Sequence, residues 1–439
     1  MRLLNTTTLA LHEFFGVDIP PYAILSHRWE GREVTFQDLQ SEPRPASPSF
    51  SKVTKCCAQA VSNGIEWAWI DTCCIDKTSS AELSEAINSM FRWYREAQIC
   101  YAYLFDVPDG GDWETRQKGD SAFRKSQWFA RGWTLQELLA PEMVVFFDAD
   151  WEDIGTKNSM QALLSSITGI DSFKDFESAC IAKKMSWASM RHTTREEDKA
   201  YCLMGLFGVN MPPLYGEGMG AFYRLQLEIL KTTTDDSIFA WGDPLAHQEW
   251  DVGVLAYAPL DFSHCQHIET RRPFSEQEFA MTNKGMRMSS RLVPYNDPTF
   301  IAAYAQFLTP LSCVDVDRSE GYCSETSLAI CLLKSNQDTY MRKGSVVRGI
   351  DEKIQRRIDG GKLTVFYIQR RPRKVPPNTM VPNFVFNCAS SVEHGYGSGT
   401  IVGVRGPRKP SFYEQPQDRN ECLRSTASRS QAQRSPSPL

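Results

Sequence analysis

One carboxylate, Glu137, stands in an otherwise apolar run at residues 131–141, RGWTLQELLAP. If this run is helical, Trp133 and Glu137 share a face and the carboxylate lies beside the indole. An acid held against an aromatic in a crevice suits an acid, a base or a charge stabiliser. The same residue types suit a helix-surface ion pair with a nearby cation such as Arg131. On this stretch alone the ion pair is the expected reading, because ion pairs outnumber catalytic carboxylates.

Other polar groups sit where short apolar runs stop. Tyr22-Ala23-Ile24-Leu25-Ser26 gives way to His27, Arg28 and Trp29. Trp67-Ala68-Trp69-Ile70 ends on Asp71, and residues 99–105 (ICYAYLF) end at Asp106. Such runs read as buried strands that pass into loops. Between them, residues 52–61 have helical spacing. Ser79 to Glu82 fits a capping box for a helix with Leu83, Ile87, Met90, Phe91 and Tyr94 on one face. Residues 143–147 (MVVFF) read as a fourth strand.

Alternating strands and helices predict a parallel sheet covered on both faces. The site of such a sheet lies outside the carboxyl ends of its strands. Ser26, His27, Arg28, Asp71 and Asp106 fall at those ends, and Glu137 lies in a neighbouring helix. Residues far apart in sequence thus converge, which favours a functional Glu137.

The rest of the chain divides by pattern. Residues 1–150 read as the α/β core, with 107–127 as an exposed insertion. Residues 151–236 read as a helical extension, in which Thr194 to Glu197 fits a second capping box and opens a helix that Gly208 ends. Residues 237–404 carry short alternating runs and are expected to form a β-rich domain. Residues 405–439 are rich in Ser, Arg, Pro and Gln and read as a disordered tail.

Bulk properties narrow the classes. A net charge of -5 argues against nucleic acid as a general partner. The 13 cysteines form no CxxC pair, so neither a disulfide framework nor a metal site is expected. No apolar run is long enough to span a membrane, and no signal peptide is apparent. A cytoplasmic protein with reduced thiols is the expectation.

Four blocks together resemble the fungal heterokaryon-incompatibility (HET) domain family. They are YAILSHRW at 22–29, WIDTCCID at 69–76, RGWTLQEL at 131–138 and TTREEDKAYCLMG at 193–205. The resemblance runs from Tyr22 to about Trp241. That family acts in nonself recognition between fungal individuals, where the domain triggers cell death. Its fold is distantly similar to the Toll/interleukin-receptor (TIR) domain, which implies a TIR-like or flavodoxin-like sheet here. Some TIR domains cleave NAD with a Glu in a Trp-Cys-x-x-Glu-Leu motif. Trp133, Glu137 and Leu138 match that motif, and Thr134 stands where it has Cys.

The resemblance implies Glu137 as the catalytic residue, with Ser26, His27, Arg28, Trp29, Asp71 and Trp133 as substrate-binding residues. NAD would be a substrate, and no cofactor is implied. The partners implied are further copies of the chain and a sensor or regulator on another chain. The rival class is a non-enzymatic signalling module that works by self-association, with the same residues structural.

Overall fold

The computed structural model describes residues 1–41, 48–109, 111, 113–242, 253–271, 278–295, 305–318, 323–350 and 352–369. The expected tail at 405–439, and the end of the β-rich region from 370 onward, lie outside the described residues. Residues 1–376 make one compact unit.

The N-terminal sheet is built from β1 (Arg2–Asn5), β2 (Leu11–Glu13), β3 (Tyr22–His27), β4 (Trp67–Trp69), β5 (Ile99–Tyr103), β6 (Val144–Phe147) and β7 (Asp153–Thr156). Their spatial order is β2-β1-β4-β3-β5-β6-β7. The middle strands β4, β3, β5 and β6 are parallel, and β1, β2 and β7 join antiparallel at the edges. The sheet is therefore mixed, which corrects the wholly parallel expectation. The extra edges come from segments whose period is too short to read, among them residues 1–21.

Helices α1 (Phe36–Gln40) and α2 (Pro48–Ser62) lead from β3 to β4, and α3 (Ser80–Glu96) leads from β4 back past β3 to β5. Right-handed crossovers in opposite directions place them on opposite faces. All six residues of β3 are buried, as a strand covered on both faces requires. α3 is tied to it by Tyr22 Oη donating to Trp93 O at 2.6 Å and Tyr94 Oη donating to Leu25 O at 3.0 Å. Only half of the first capping box forms. Glu82 N donates to Ser79 Oγ, whereas the Glu82 carboxylate is taken by Arg2 and by Asp76 N.

The stretch after β5 is not an exposed insertion throughout. It folds into α4 (Trp113–Gln117) and α5 (Ala122–Lys125), then α6 (Gln127–Ala130) and α7 (Thr134–Leu139). Phe123 is buried against Phe129 and Phe146. One aromatic among charged neighbours has no period, so the sequence hides it.

The helical extension holds α8 (Gln161–Thr168), α9 (Ile181–Ala188), α10 (Asp198–Tyr201) and α11 (Gly220–Leu230). The second expected capping box does not form: α10 has Glu197 at its N-cap with no side-chain cap. Glu197 instead accepts from Gly216 N at 2.8 Å and Gly218 N at 3.0 Å, fixing the 212–218 loop. Gly205 meets α3 so closely that an added Cβ would lie 2.0 Å from Phe91 Cβ. Gly205→Ala should cost about 1–3 kcal/mol by overpacking. An unchanged thermal midpoint would count against that packing.

The C-terminal sheet comprises β8 (Ile268–Thr270), β9 (Phe279–Thr282), β10 (Gly285–Arg291), β11 (Val293–Tyr295), β12 (Gln306–Asp317), β13 (Ser324–Lys334), β14 (Thr339–Arg348) and β15 (Leu363–Ile368). Its order is β11-β12-β13-β14-β15-β10-β9, with β8 on β12. Only β14 and β15 pair in parallel, and α12 (Glu352–Asp359) lies between them in sequence. One buried core runs from β3 and β5 through α9 and α11 to β10 and β13.

Candidate functional site

β3 delivers Ser26 and His27 to its carboxyl end, and Arg28 and Trp29 follow. The chain goes from β3 to β4 on one side and then to β5 on the other, so the direction of winding reverses beside β3. In open α/β sheets ligands bind outside the strand ends at such a point. Helix α7 brings Glu137 to the same place.

Glu137 is buried, at 7% exposure. Ser26 Oγ donates to Glu137 Oε2 at 2.5 Å, and Trp128 Nε1 donates to Ser26 Oγ at 2.8 Å. The expected pairing of Glu137 with Trp133 or Arg131 is thereby corrected: the indole coupled to the carboxyl is that of Trp128, through Ser26. The Trp133 and Tyr215 side chains instead hold the carboxylate of Asp198. Trp133 is the N-cap residue of α7 and makes no side-chain cap.

Helix α7 is clamped at both ends. Thr134, standing where the motif has Cys, donates its hydroxyl toward Trp128 O at 2.5 Å. Buried Arg191 donates through Nη1 to Arg131 O and Thr134 Oγ1, both at 3.0 Å. Gly132 N donates to His192 O at 2.8 Å, and a Cβ on Gly132 would lie 2.5 Å from Thr193 Cγ2. At the far end, Lys157 Nζ donates to Leu138 O at 3.2 Å and to Pro141 O, capping carbonyls that the helix leaves open. Arg191 thus braces backbone and the Thr134 hydroxyl.

Burial pushes the Glu137 carboxyl up to about 8, with Asp71 adding to the rise, while Ser26, Arg131 and Arg191 pull it down. The group is therefore mostly protonated at neutral pH. Ser26→Ala removes a partner from both Glu137 and Trp128. It should destabilise the fold by about 1–3 kcal/mol, read by urea denaturation, and an unchanged midpoint would contradict the buried relay.

His27 is 4% exposed, and neither ring nitrogen has a hydrogen-bond partner. Its Nε2 lies 3.8 Å from Asp71 Oδ1 and 4.0 Å from Glu33 Oε2. Burial, with Lys52 nearby, holds its pKa down to about 3, so the ring is neutral. A neutral buried ring is no cationic phosphate donor. Because the folded pKa lies below the ordinary 6.5, His27 contributes stability that is lost as pH falls from 6.5 toward 3. His27→Phe should flatten that acid limb in denaturation titrations. A limb as steep as the parent's would contradict a neutral His27.

Asp71 Oδ2 accepts from Trp29 Nε1 at 3.0 Å and lies 3.8 Å from Lys77 Nζ. It belongs to the cluster. Trp29 is 42% exposed, but Lys77 Nζ sits 3.7 Å from its ring centroid and takes one face. Arg28 is half-buried, with its guanidinium carbon 5.9 Å from the Phe105 ring centroid. Asp106 does not join: it accepts from Ser126 Oγ and Gln127 N, both at 2.7 Å, and so fixes the start of α6.

The structure thus brings Ser26, His27, Trp29, Asp71 and Glu137 into one cluster, keeps Arg28 at its edge, and turns Trp133 toward Asp198. It adds Trp128, Glu33, Lys52, Lys77 and Arg191, which the sequence reading left out. Trp128 was legible only as a buried aromatic approach. Glu33, Lys52 and Lys77 lie in loops and on a helix where charge is ordinary, so nothing marked them.

Residues 22–111, which carry β3, β4 and β5, match the family model described as heterokaryon incompatibility protein (HET). A stretch of 233 residues, 51% of this chain, is 45% identical to "Vegetative incompatibility protein HET-E-1" of Podospora anserina. The two matches support the HET family. The matched stretch is 17% of that relative's own length. No solved structure matches. Among the described residues, no helix is long and apolar enough to cross a membrane, and no group of three or more His, Cys, Asp or Glu is placed to hold a metal ion.

Proposed function

We propose that this chain is a heterokaryon-incompatibility effector that triggers regulated cell death by cleaving NAD at the crevice beside β3. The observation that carries the reading is the placement of the Glu137 carboxyl, raised to about 8, at the carboxyl end of β3 among Ser26, His27 and Asp71. Raised carboxyl groups at such a position are typical of functional sites. The parallel strands, in chain order, lie 2-1-3-4 across the sheet, which supports kinship with flavodoxin-like and TIR-like folds. The likeness to an incompatibility protein supports the biological role.

In this chemistry the bond from the ribose carbon to the nicotinamide nitrogen breaks, and nicotinamide leaves with the bonding pair as a neutral ring. The positive charge left on the ribose is of the kind met in glycoside hydrolysis. Glu137 gives up its proton to solvent as the positively charged nicotinamide ring approaches, and its carboxylate then stabilises the ribose cation. Water then bonds to the ribose carbon and releases a proton, giving ADP-ribose. The test is nicotinamide release by the purified full chain across a range of protein concentrations. Absence of release from folded, self-associated chain would remove the enzymatic reading.

A second reading, a signalling module that works by self-association, is favoured by one observation: the Glu137 carboxyl is buried and locked on Ser26. A cytoplasmic location accompanies either reading.

A further inference from the structure

Three buried groups stand in line at the carboxyl end of β3. Trp128 Nε1 donates to Ser26 Oγ at 2.8 Å, and Ser26 Oγ lies 2.5 Å from Glu137 Oε2. An indole N–H can only donate. The Ser26 oxygen therefore accepts from it, which leaves the single hydroxyl proton of Ser26 for the Glu137 carboxyl. Neither Ser26, at 0% exposure, nor Trp128, at 1%, meets bulk water that could take over either role.

The indole is itself held. Its ring packs edge-on against Phe129 and Phe146, with centroids 5.2 and 5.6 Å apart. The Trp128 carbonyl accepts from Thr134 Oγ1, and Arg191 Nη1 donates to that hydroxyl at 3.0 Å. Side chain and backbone of Trp128 thus join Glu137 to the helical extension, where Arg191 lies.

We propose that Trp128 is a positioning residue for Glu137, its indole N–H turning the Ser26 hydroxyl so that the hydroxyl proton lies on the carboxylate. A carboxylate oxygen accepts that proton more strongly than the oxygens of the neutral acid, so the arrangement favours the ionised form. Without the indole N–H, the Ser26 hydroxyl swings to accept from the protonated acid. Trp128 thus offsets part of what burial does to Glu137. The other groups that face Glu137 stay in place when the indole is removed. Asp71, beyond β4, raises its proton affinity, and Arg131 of the α6 end and Arg191 beyond α9 lower it. Tyr94 of α3 and Cys100 of β5 face it as neutral groups, since burial pushes both well up.

The test is an infrared pH titration of the folded full chain, which follows the carboxyl band of the protonated acid. Glu137→Gln removes that band and so assigns it. In Trp128→Phe its midpoint should lie at least about one pH unit above the parent's, a tenfold change in proton affinity. On a Ser26→Ala background the same change should add nothing, because the indole acts through Ser26. A parent-like midpoint in Trp128→Phe, or the same rise on top of Ser26→Ala, overturns the proposal. Lost packing alone lowers the melting temperature of Trp128→Phe without moving the midpoint. If that variant does not fold, the N–H resonances of the 11 tryptophan indoles in the parent decide. One should move with the Glu137 midpoint and stay still in Glu137→Gln, and if none does the proposal fails. The rate readout rests on the cleavage reading above. Nicotinamide release by Trp128→Phe should fall about tenfold at pH 7 and rejoin the parent's in alkali. A loss equal at every pH marks a merely structural residue and overturns the proposal. A shifted carboxyl titration in a chain that releases no nicotinamide keeps the positioning and removes the cleavage reading. Release with an unshifted titration does the reverse.

Discussion

Glu137→Gln should lower nicotinamide release by at least about a hundredfold, the scale on which removal of one transition-state stabiliser acts. The amide keeps an oxygen for Ser26 Oγ, so the relay from Trp128 survives. It cannot carry the negative charge that the ribose cation needs. The variant should also be at least as stable as the parent, which separates lost chemistry from lost fold. The sign follows from the raised carboxyl. The unfolded chain gives up this proton near 4.5 and the folded chain near 8, so the folded state holds more protons between those values. Parent stability therefore falls as pH rises from 4.5 to 8, and the Gln variant should lack that fall. Denaturation at pH 6 and above pH 8 checks it. Equal pH slopes for parent and variant would mean that Glu137 is not held protonated.

Arg342→Met should destabilise the chain by about 3–5 kcal/mol, the largest stability effect expected here. Arg342 is buried at 2% exposure and stacks its guanidinium 3.7 Å from the Trp241 ring centroid. Its donors reach Phe239 O at 2.9 Å, Trp241 O at 2.7 Å and Gly344 O at 3.1 Å. Burial lowers its pKa to about 9, with Asp261 and Cys265 pulling back, so the charge persists at neutral pH. Met fills a similar volume but leaves these buried carbonyls without their donor. Urea denaturation measures the loss. A midpoint equal to the parent's would show that water replaces the guanidinium and that Arg342 does not hold the segment after α11 to β14.

The parallel strands were legible because each is an apolar run that stops on a polar residue. Tyr22 to Ser26 and Ile99 to Tyr103 are buried at nearly every position, which only a strand covered on both faces explains. Helix α3 was legible from its period. Strands β1 and β7 were not, since four residues carry too little pattern to separate strand from loop. Thr194 to Glu197 matched a capping box in sequence, but the Glu197 carboxylate is drawn to Gly216 N and Gly218 N. Tertiary partners outbid the local cap there. Strand ends placed Ser26, His27 and Asp71 at one end of the sheet, where the structure clusters them. The helical spacing of Trp133 and Glu137 misled, because the Trp133 side chain is taken by Asp198 and Glu137 by Ser26. Lys77 was hidden, since exposed-type residues reveal their neighbours only through the fold.

The measurement that bears most directly on death by NAD cleavage is the cellular NAD pool after induced expression of the full chain in a fungal host, followed together with viability and set against Glu137→Gln at equal protein level. NAD should collapse before viability falls with the parent, and both should hold with the variant. Death with an intact NAD pool, or equal death from the Gln variant, would contradict the enzymatic account and leave Glu137 as the buried structural partner of Ser26.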